Sequence, residues 1–314
     1  MILHSILMNL VIGNSSSISC PNGMFKRERA GNTHLIIWVL RKRKFTMKTM
    51  NNIKIDQIRL NIPYEYVSKI DLINSKYPKE VILVNRIFHF TKLFHKTSEG
   101  HGHNGYTDSY NFGSGENGGT VSIMWNKTRK DMGILIDLTA TGKALFENLA
   151  ELHGITINWQ ETIRAIYKDY DGHISRIDIA TDLLNYGFSI NDMSQRLKEE
   201  KSFFLNKLGN KISSNRFKIV GTTDEAQTLY IGSRKSDAFL RIYDKKIEQS
   251  RIDGLYRALA NECEDWIRVE GEFKHRLAKE IGTYISNLET NNIYPYLLGC
   301  VLERWSLIDI NQEE

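Results

Sequence analysis

Cysteine and proline are scarce in this sequence. Its 314 residues hold only Cys20, Cys263 and Cys300, widely spaced, and 4 prolines against 22 glycines. The cysteine spacing excludes a disulfide framework and a Cys-x-x-Cys metal site, and it fits a reducing cytoplasm. So few prolines, with no glycine period, exclude collagen-like repeats and proline-rich linkers. Long apolar runs are missing too. Residues 2–12 are apolar but broken by His4, Ser5 and Asn9, and no basic leader precedes them, so they make a poor signal peptide. The run HLIIWVL (34–40) falls far short of the roughly 20 residues of a membrane span. Neither apolar run argues for a membrane partner.

What is present is ordinary globular material. Hydrophobic residues make up 41% and charged residues 25%, enough for a sizeable core and too apolar for wholesale disorder. The formal net charge of +5 suggests a nucleic-acid binder until it is located. Residues 1–46 hold seven Lys/Arg, with RKRK at 41–44, against the single acid Glu28; residues 47–314 then hold 35 basic and 36 acidic residues. Any DNA-binding surface in the body must therefore be a local patch. Residues 1–46 are expected to be disordered or a non-native extension ahead of Met47 or Met50. The alternative for RKRK is a nucleic-acid or membrane contact.

The remainder, 47–314, reads as one catalytic domain with two similarly wired halves, about 51–155 and 156–314. The first half has an opening strand or two, a turn region, strands at 120–126 and 133–139, and a helix from Thr141 through Leu152. Next come a helix from Trp159 to Tyr167, a strand at 175–183, and a helix starting near Ser189 with Asn191 or Asp192 close to its cap. Residues 201–221 read as polar and irregular. Strands follow at 228–233, 239–245 and 266–273, and a helix runs from His275 to Leu288. The expected fold is α+β, a mostly antiparallel sheet covered by helices, with a duplicated β-β-α module.

Three motif matches carry little. Gly113-Ser-Gly115-Glu-Asn-Gly118 fits GxGxxG but precedes a strand and opens no helix. Thr141-Gly142-Lys143 lacks the glycine of a phosphate loop, because Asp137 stands five before Gly142. His101-Gly-His103, with His89 and His95 nearby, reads as exposed loop histidines rather than metal ligands.

The informative feature is a set of strands with one apolar and one charged face. Residues two apart share a face. Ile177 and Ile179 face one way; Arg176, Asp178, Ala180 and Asp182 face the other. Leu240 and Ile242 oppose Arg241, Tyr243 and Lys245. Ile267, Val269 and Phe273 oppose Arg268, Glu270, Glu272 and Lys274. If the three strands are neighbours, four carboxylates, several cations and a tyrosine share one outward surface. Clustered carboxylates repel unless a cation holds them, and hard oxygen donors suit Mg²⁺ or Mn²⁺. A tyrosine between two cations sits where positive charge lowers the cost of phenolate. Tyrosine is a competent covalent nucleophile, so the set suggests phosphodiester transesterification through a tyrosyl–phosphate link.

The stretches SRIDIATDL (175–183), TLYIGSRKSDAFLRIYDKKIE (228–248) and WIRVEGEFKHRLA (266–278) resemble, in this order, the replication-initiation-factor family. Its members include rolling-circle plasmid initiators of Gram-positive bacteria and relaxases of conjugative transposons. GYTDSYNFG (105–113) and MGILIDLTATGKALFENL (132–149) resemble it as well, so the likeness covers roughly 55–290. It implies that Tyr243 is the nicking nucleophile, assisted by Arg241 and Lys245. It implies metal ligands at Asp178 and Glu270, with Asp182 and Glu272 as further candidates for Mg²⁺ or Mn²⁺. The chain departs from many relatives at Thr139-Ala-Thr-Gly142-Lys-Ala, where they carry Ser-Gly before a Cys-Arg pair. Ser233, Arg234, Lys235 and Ser236, with Arg176 and Arg268, are the expected DNA contacts. Tyr230, Phe239 and Trp266 read as packing rather than base-stacking residues. The implied activity is site-specific nicking and joining of single-stranded DNA at a replication or transfer origin, through a 5′-phosphotyrosine. The implied partners are origin DNA, a host helicase and a second copy of the chain. The competing reading is a non-catalytic DNA-binding relative of the same family.

Overall fold

Period-two alternation of apolar side chains builds one large sheet, and helices with apolar faces cover it. The computed structural model describes residues 53–71, 75–113, 119–187, 189–222, 226–251, 254, 256–290 and 292–310. The expectations for residues 1–46, and most of the Gly113–Gly118 turn, lie outside the described residues. In chain order the first elements are β1 (Ile53–Ile62), α1 (Glu65–Ser68), α2 (Lys79–Phe88), α3 (Phe90–Leu93), β2 (Thr97–His101), β3 (Asp108–Phe112), β4 (Val121–Trp125), β5 (Ile134–Leu138) and α4 (Ala140–Leu152). Helix α5 (Trp159–Lys168) leads to β6 (His173–Leu184), α6 (Ile190–Lys198), β7 (Ser202–Leu205), β8 (Phe217–Gly221), β9 (Ala226–Ile231), β10 (Ala238–Asp244), α7 (Lys245–Gln249) and α8 (Arg257–Glu262). The chain ends with β11 (Trp266–Lys274), α9 (His275–Asn287), α10 (Tyr294–Arg304) and β12 (Ser306–Asp309).

Ten strands form an antiparallel sheet in the order β2-β3-β4-β5-β1-β6-β11-β10-β9-β8, and β7 pairs separately with β12. The order is symmetric about the β1–β6 seam. In each half an opening strand is followed by helix, then by a four-strand meander whose last strand returns beside the opening one, then by a helix. Thus β4-β5-α4 recurs as β10-β11-α9, the expected duplicated β-β-α unit in an α+β fold. One continuous core runs beneath both halves, from Phe88, Phe112 and Phe146 to Ile177, Ile281 and Leu297. Helices α9 and α10 lie on the apolar side of β6 and β11: a Cβ added at Gly271 would meet Val301 and Trp305 of the α10 region. The opposite side of β6, β11 and β10 carries the charged residues.

Several elements differ from the sequence reading. Residues 201–221 hold β7 and β8 rather than irregular chain. Both strands are short, and β8 is an edge strand with little burial, so it shows no clean alternation. The turn region of the first half contains α2, which buries Val81, Val84 and Phe88 at helical spacing. Ser189 itself caps α6, its hydroxyl accepting from the amide of Asp192. His101 and His103 are exposed, as expected.

The Thr-Gly-Lys segment is a helix start. The Thr139 hydroxyl accepts from the Gly142 amide and caps α4. Lys143 is buried against Glu147 at 2.6 Å and over the Trp159 ring at 4.9 Å. Gly142 lets the helix end approach the backbone before β4: an added Cβ would lie 2.2 Å from the Thr120 carbonyl oxygen. Gly142→Ala should therefore destabilise the fold by about 2–3 kcal/mol despite alanine's better helix propensity. Urea denaturation checks this, and an unchanged midpoint would contradict the close packing.

Candidate active site

Strand pairing brings the charged faces together. Across β6 and β11, Asp178 lies opposite Glu272, Ala180 opposite Glu270, and Asp182 opposite Arg268. Across β11 and β10, Glu270 lies opposite Arg241 and Arg268 opposite Tyr243. On β9, Tyr230 is the partner of Arg241. The three strands are neighbours, and a cleft of about 370 Å³ opens on this face, lined by Asp56, Arg176, Asp178, Arg241, Glu270 and Glu272 among others.

The face is not the solvated surface that the alternation suggested. Asp178 and Glu270 are 1% and 4% exposed, and Tyr243 is 8% exposed. Every acid has a cationic partner. Arg176 grips both oxygens of Asp178, at 2.9 and 2.6 Å, and reaches Glu272 at 2.6 Å. Lys274 also holds Glu272, at 2.7 Å. One Arg241 nitrogen donates to both oxygens of Glu270, at 2.7 and 2.6 Å.

Tyr243 lies between two cations, as expected. The Arg241 guanidinium is 4.6 Å from its ring centroid and the Lys245 ammonium 5.6 Å. Lys245 reaches it from the first residue of α7 rather than from the strand, and also pairs with Glu248 at 2.7 Å. The net effect on the phenol opposes the expectation. Burial pushes its pKa well above the ordinary tyrosine value, and Arg268 and Arg241 only partly offset that rise. Among the described residues the Tyr243 hydroxyl makes no hydrogen bond, so the resting phenol is protonated and untethered.

Two other assignments change. Arg268 is 3% exposed and cannot meet DNA in this arrangement. It donates twice to Asp182, at 2.6 and 2.7 Å, and once to Asp56, at 3.0 Å. Asp182 is correspondingly not a free ligand. Besides Arg268 it accepts from the Trp266 indole at 2.9 Å and pairs with Lys54 at 3.1 Å. Burial alone would raise its carboxyl, but these partners hold it down at about 2. Trp266 is packing, as read.

Asp56 and Lys54 were missed. A register shift between Ile55 and Gln57 makes a bulge in β1 at Asp56, in contact with Arg268. The signal was present: adjacent polar residues Asp56-Gln57 interrupt an otherwise alternating IKIDQIRLNI. In the expected DNA-contact hairpin, Ser233, Lys235 and Arg234 are exposed and Ser236 is half-buried. Arg176 is engaged with acids.

Whether these residues suit a divalent cation can be judged from their chemistry. Among the described residues no three carboxyl, thiol or imidazole groups converge as a ready cage. Yet Asp178, Glu270 and Glu272 share one face of paired strands, and all offer hard oxygen. Burial drives the Asp178 carboxyl up to about 7 and raises that of Glu270, despite their arginines. Buried acids so poorly compensated are a donor set that Mg²⁺ or Mn²⁺ would complete.

Residues 172–313 match the family model of the replication initiation factor. The chain is 24% identical over 215 residues to the "Putative DNA relaxase NicK" of Bacillus subtilis strain 168, an alignment covering 68% of this chain and 57% of that protein. The match thus spans little more than half the relative's length. The fold is that of a rolling circle replication initiator protein from Geobacillus stearothermophilus, with a TM-score of 0.57 and 19% identity, covering 84% of this chain and 88% of that one. The resemblance to the replication-initiation-factor family is thereby shown over residues 172–313, which include β6, β10 and β11 and the site they carry.

The raised Asp178 carboxyl has a measurable consequence. Its ordinary value is 3.8 and its folded value about 7, so the folded chain keeps a proton that the unfolded chain releases between them. The associated stability is present at low pH and lost as pH rises through 7. Between pH 5 and 8, with chelator present, the stability of Asp178→Asn should gain on the wild type by about 2–3 kcal/mol. Urea titrations at each pH read this difference; a pH-independent gap would mean that Asp178 is ionised throughout.

Proposed function

We propose that this protein nicks and rejoins one DNA strand at a replication or transfer origin, with Tyr243 as the nucleophile. The reading rests chiefly on one observation: a tyrosine flanked by Arg241, Lys245 and Arg268 shares a sheet face with Asp178, Glu270 and Glu272, which line the adjoining cleft, in a chain whose residues 172–313 match the replication initiation factor.

In the proposed step the Tyr243 phenolic oxygen attacks the scissile phosphorus. The phenol gives up its proton as the new P–O bond forms. The bond to the 3′ oxygen breaks, and that oxygen takes up a proton and leaves as a free 3′-hydroxyl. The strand remains attached through a 5′-phosphotyrosine. Arg241 and Arg268 stabilise negative charge developing on the phenol, against the burial that favours its neutral form. Lys245, over the same ring, adds to that field. Asp178 and Glu270, with Glu272 alongside, would hold a divalent cation. Such an ion supplies Lewis acidity toward a phosphoryl oxygen. Asp182 and Asp56 hold Arg268 and act through it. The exposed hairpin carrying Arg234 and Lys235 is suited to phosphate contact.

The test uses supercoiled plasmid carrying the replicon from which the gene comes. Wild-type protein with Mg²⁺ or Mn²⁺ should give open circles and an alkali-stable protein–DNA adduct, located by tryptic mass spectrometry on a Tyr243 peptide. Chelator, or Tyr243→Phe, should reduce nicking to background while origin binding persists. Full nicking by the Phe variant, or an adduct on Tyr230, would overturn the assignment. Binding without nicking by the wild type under all these conditions would favour a non-catalytic origin-binding protein.

A further inference from the structure

Beside the tyrosine and acids, the same sheet face carries a second construction. The Tyr230 and Phe239 rings are stacked, with centroids 5.5 Å apart and planes at 20°. Arg234, from the β9–β10 hairpin, lies over both, its guanidinium carbon 5.0 Å from the Tyr230 centroid and 5.9 Å from that of Phe239. It also donates to the Tyr230 hydroxyl at 3.1 Å. Phe239 is buried, Tyr230 half-buried and Arg234 exposed. A flat cation therefore caps an aromatic pair at the edge of the cleft, and Phe239 and Arg234 line that cleft together with Asp178 and Glu270.

We propose that this stack is the seat of one nucleobase of the bound single strand, next to the scissile position. The inference rests on the nicking reading above and adds where the flanking strand lies. Three features favour a base over packing alone. First, the cap is a guanidinium rather than an apolar side chain. Its flat, delocalised plane occupies an aromatic face as a base would, and it can leave without opening the core. Second, the Lys274 ammonium binds the Arg234 carbonyl oxygen, so the hairpin backbone is held independently of the Arg234 side chain. Third, the spacing suits a nucleic acid. Phe239, Arg241 and Tyr243 share one face of β10 at steps of about 6.6 Å, which places the stack about 13 Å from the nucleophile, a nucleotide or two along an extended strand. A base entering the stack takes the place of the guanidinium on the Tyr230 ring. Arg234, displaced, pairs with the phosphate of the same nucleotide. Any base has a ring face, so the seat anchors the strand without choosing its sequence.

The test needs no cleavage and no known origin. Two single strands of about twelve nucleotides are compared by fluorescence anisotropy across a salt series: oligothymidylate, and an abasic strand of the same length and charge. The full-length wild type should hold the base-bearing strand about tenfold more tightly. Tyr230→Ala should bind both strands alike. Tyr230→Leu, which keeps apolar bulk under the hairpin, should behave the same way and guards against a folding artefact. Arg234→Ala should keep the preference for bases but weaken binding to both strands, with a salt slope smaller by about one. Equal wild-type affinity for the two strands, or a preference that survives in Tyr230→Leu, overturns the base seat. An Arg234→Ala slope equal to that of the wild type overturns the phosphate role of Arg234. Failure of the nicking reading would show separately, as supercoiled plasmid left intact by wild-type protein, with these affinities unaffected.

Discussion

A buried guanidinium organises the centre of this molecule. Arg268 projects from β11 between Asp182 of β6 and Asp56 of β1, and lies across the ladder from Tyr243 of β10. Four strands thus meet at one side chain. A buried charge of this kind is tolerated only when its donors are satisfied, and removing one partner of such a set costs roughly 3–5 kcal/mol. The clamp therefore fixes the height of the β1 bulge and the position of the strand that bears the tyrosine. It also supplies positive charge near the phenol without offering that charge to solvent. Around it, Lys54, Trp266 and Asp182 form one layer, while Arg241, Glu270, Asp178 and Arg176 form a second that reaches the cleft.

Burial gives these two layers different characters. Asp182 is overcompensated and stays ionised down to about pH 2. Asp178 is undercompensated, and its carboxyl lies near 7. Asp182 is thus a structural anion, while the more deeply buried Asp178 and Glu270 retain an unmet demand for positive charge. Inference of function from composition would not find this distinction, since both are aspartates two registers apart on the same strand face. It arises from how many donors each carboxylate receives once β1, β6 and β11 are paired.

Much of this was legible in the sequence, because period two survives burial. The strands at 175–183, 239–243 and 266–274 keep apolar and charged residues on opposite faces, and the faces do coincide. Alternation alone could not say whether the charged face meets water. The same pattern describes a solvated surface and a covered ionic layer, and here α7 and α8 follow directly from the tyrosine strand. Asp56 escaped because a bulge shifts the phase of β1 midway. β7 escaped because four residues, SFFL, are too few to show a period, although Ser202 and Phe204 are buried, and β8 because it is an edge strand with no buried residue. The start of α6 near Ser189 was legible because serine, asparagine and aspartate in SINDM all suit an N-terminus, and the backbone geometry chooses Ser189 among them. Thr141-Gly142-Lys143, rejected as a phosphate loop from the sequence, is a helix start in which Lys143 is held in the core by Glu147 and Trp159.

The mirror-like strand order has a consequence for how the chain can be divided. The region matching the family begins at residue 172, one residue before β6, and so leaves β1 outside. Yet β1 is the hydrogen-bonding neighbour of β6 along most of its length and delivers Asp56 to the Arg268 clamp. A fragment cut at the family boundary would present β6, among the most buried strands of the sheet, as a bare edge open to pairing with other chains. It would also leave Arg268 short of one acid. The smallest self-sufficient unit is therefore wider than the recognisable one: the half that carries the proposed site depends on its structural twin for an edge and for a charge.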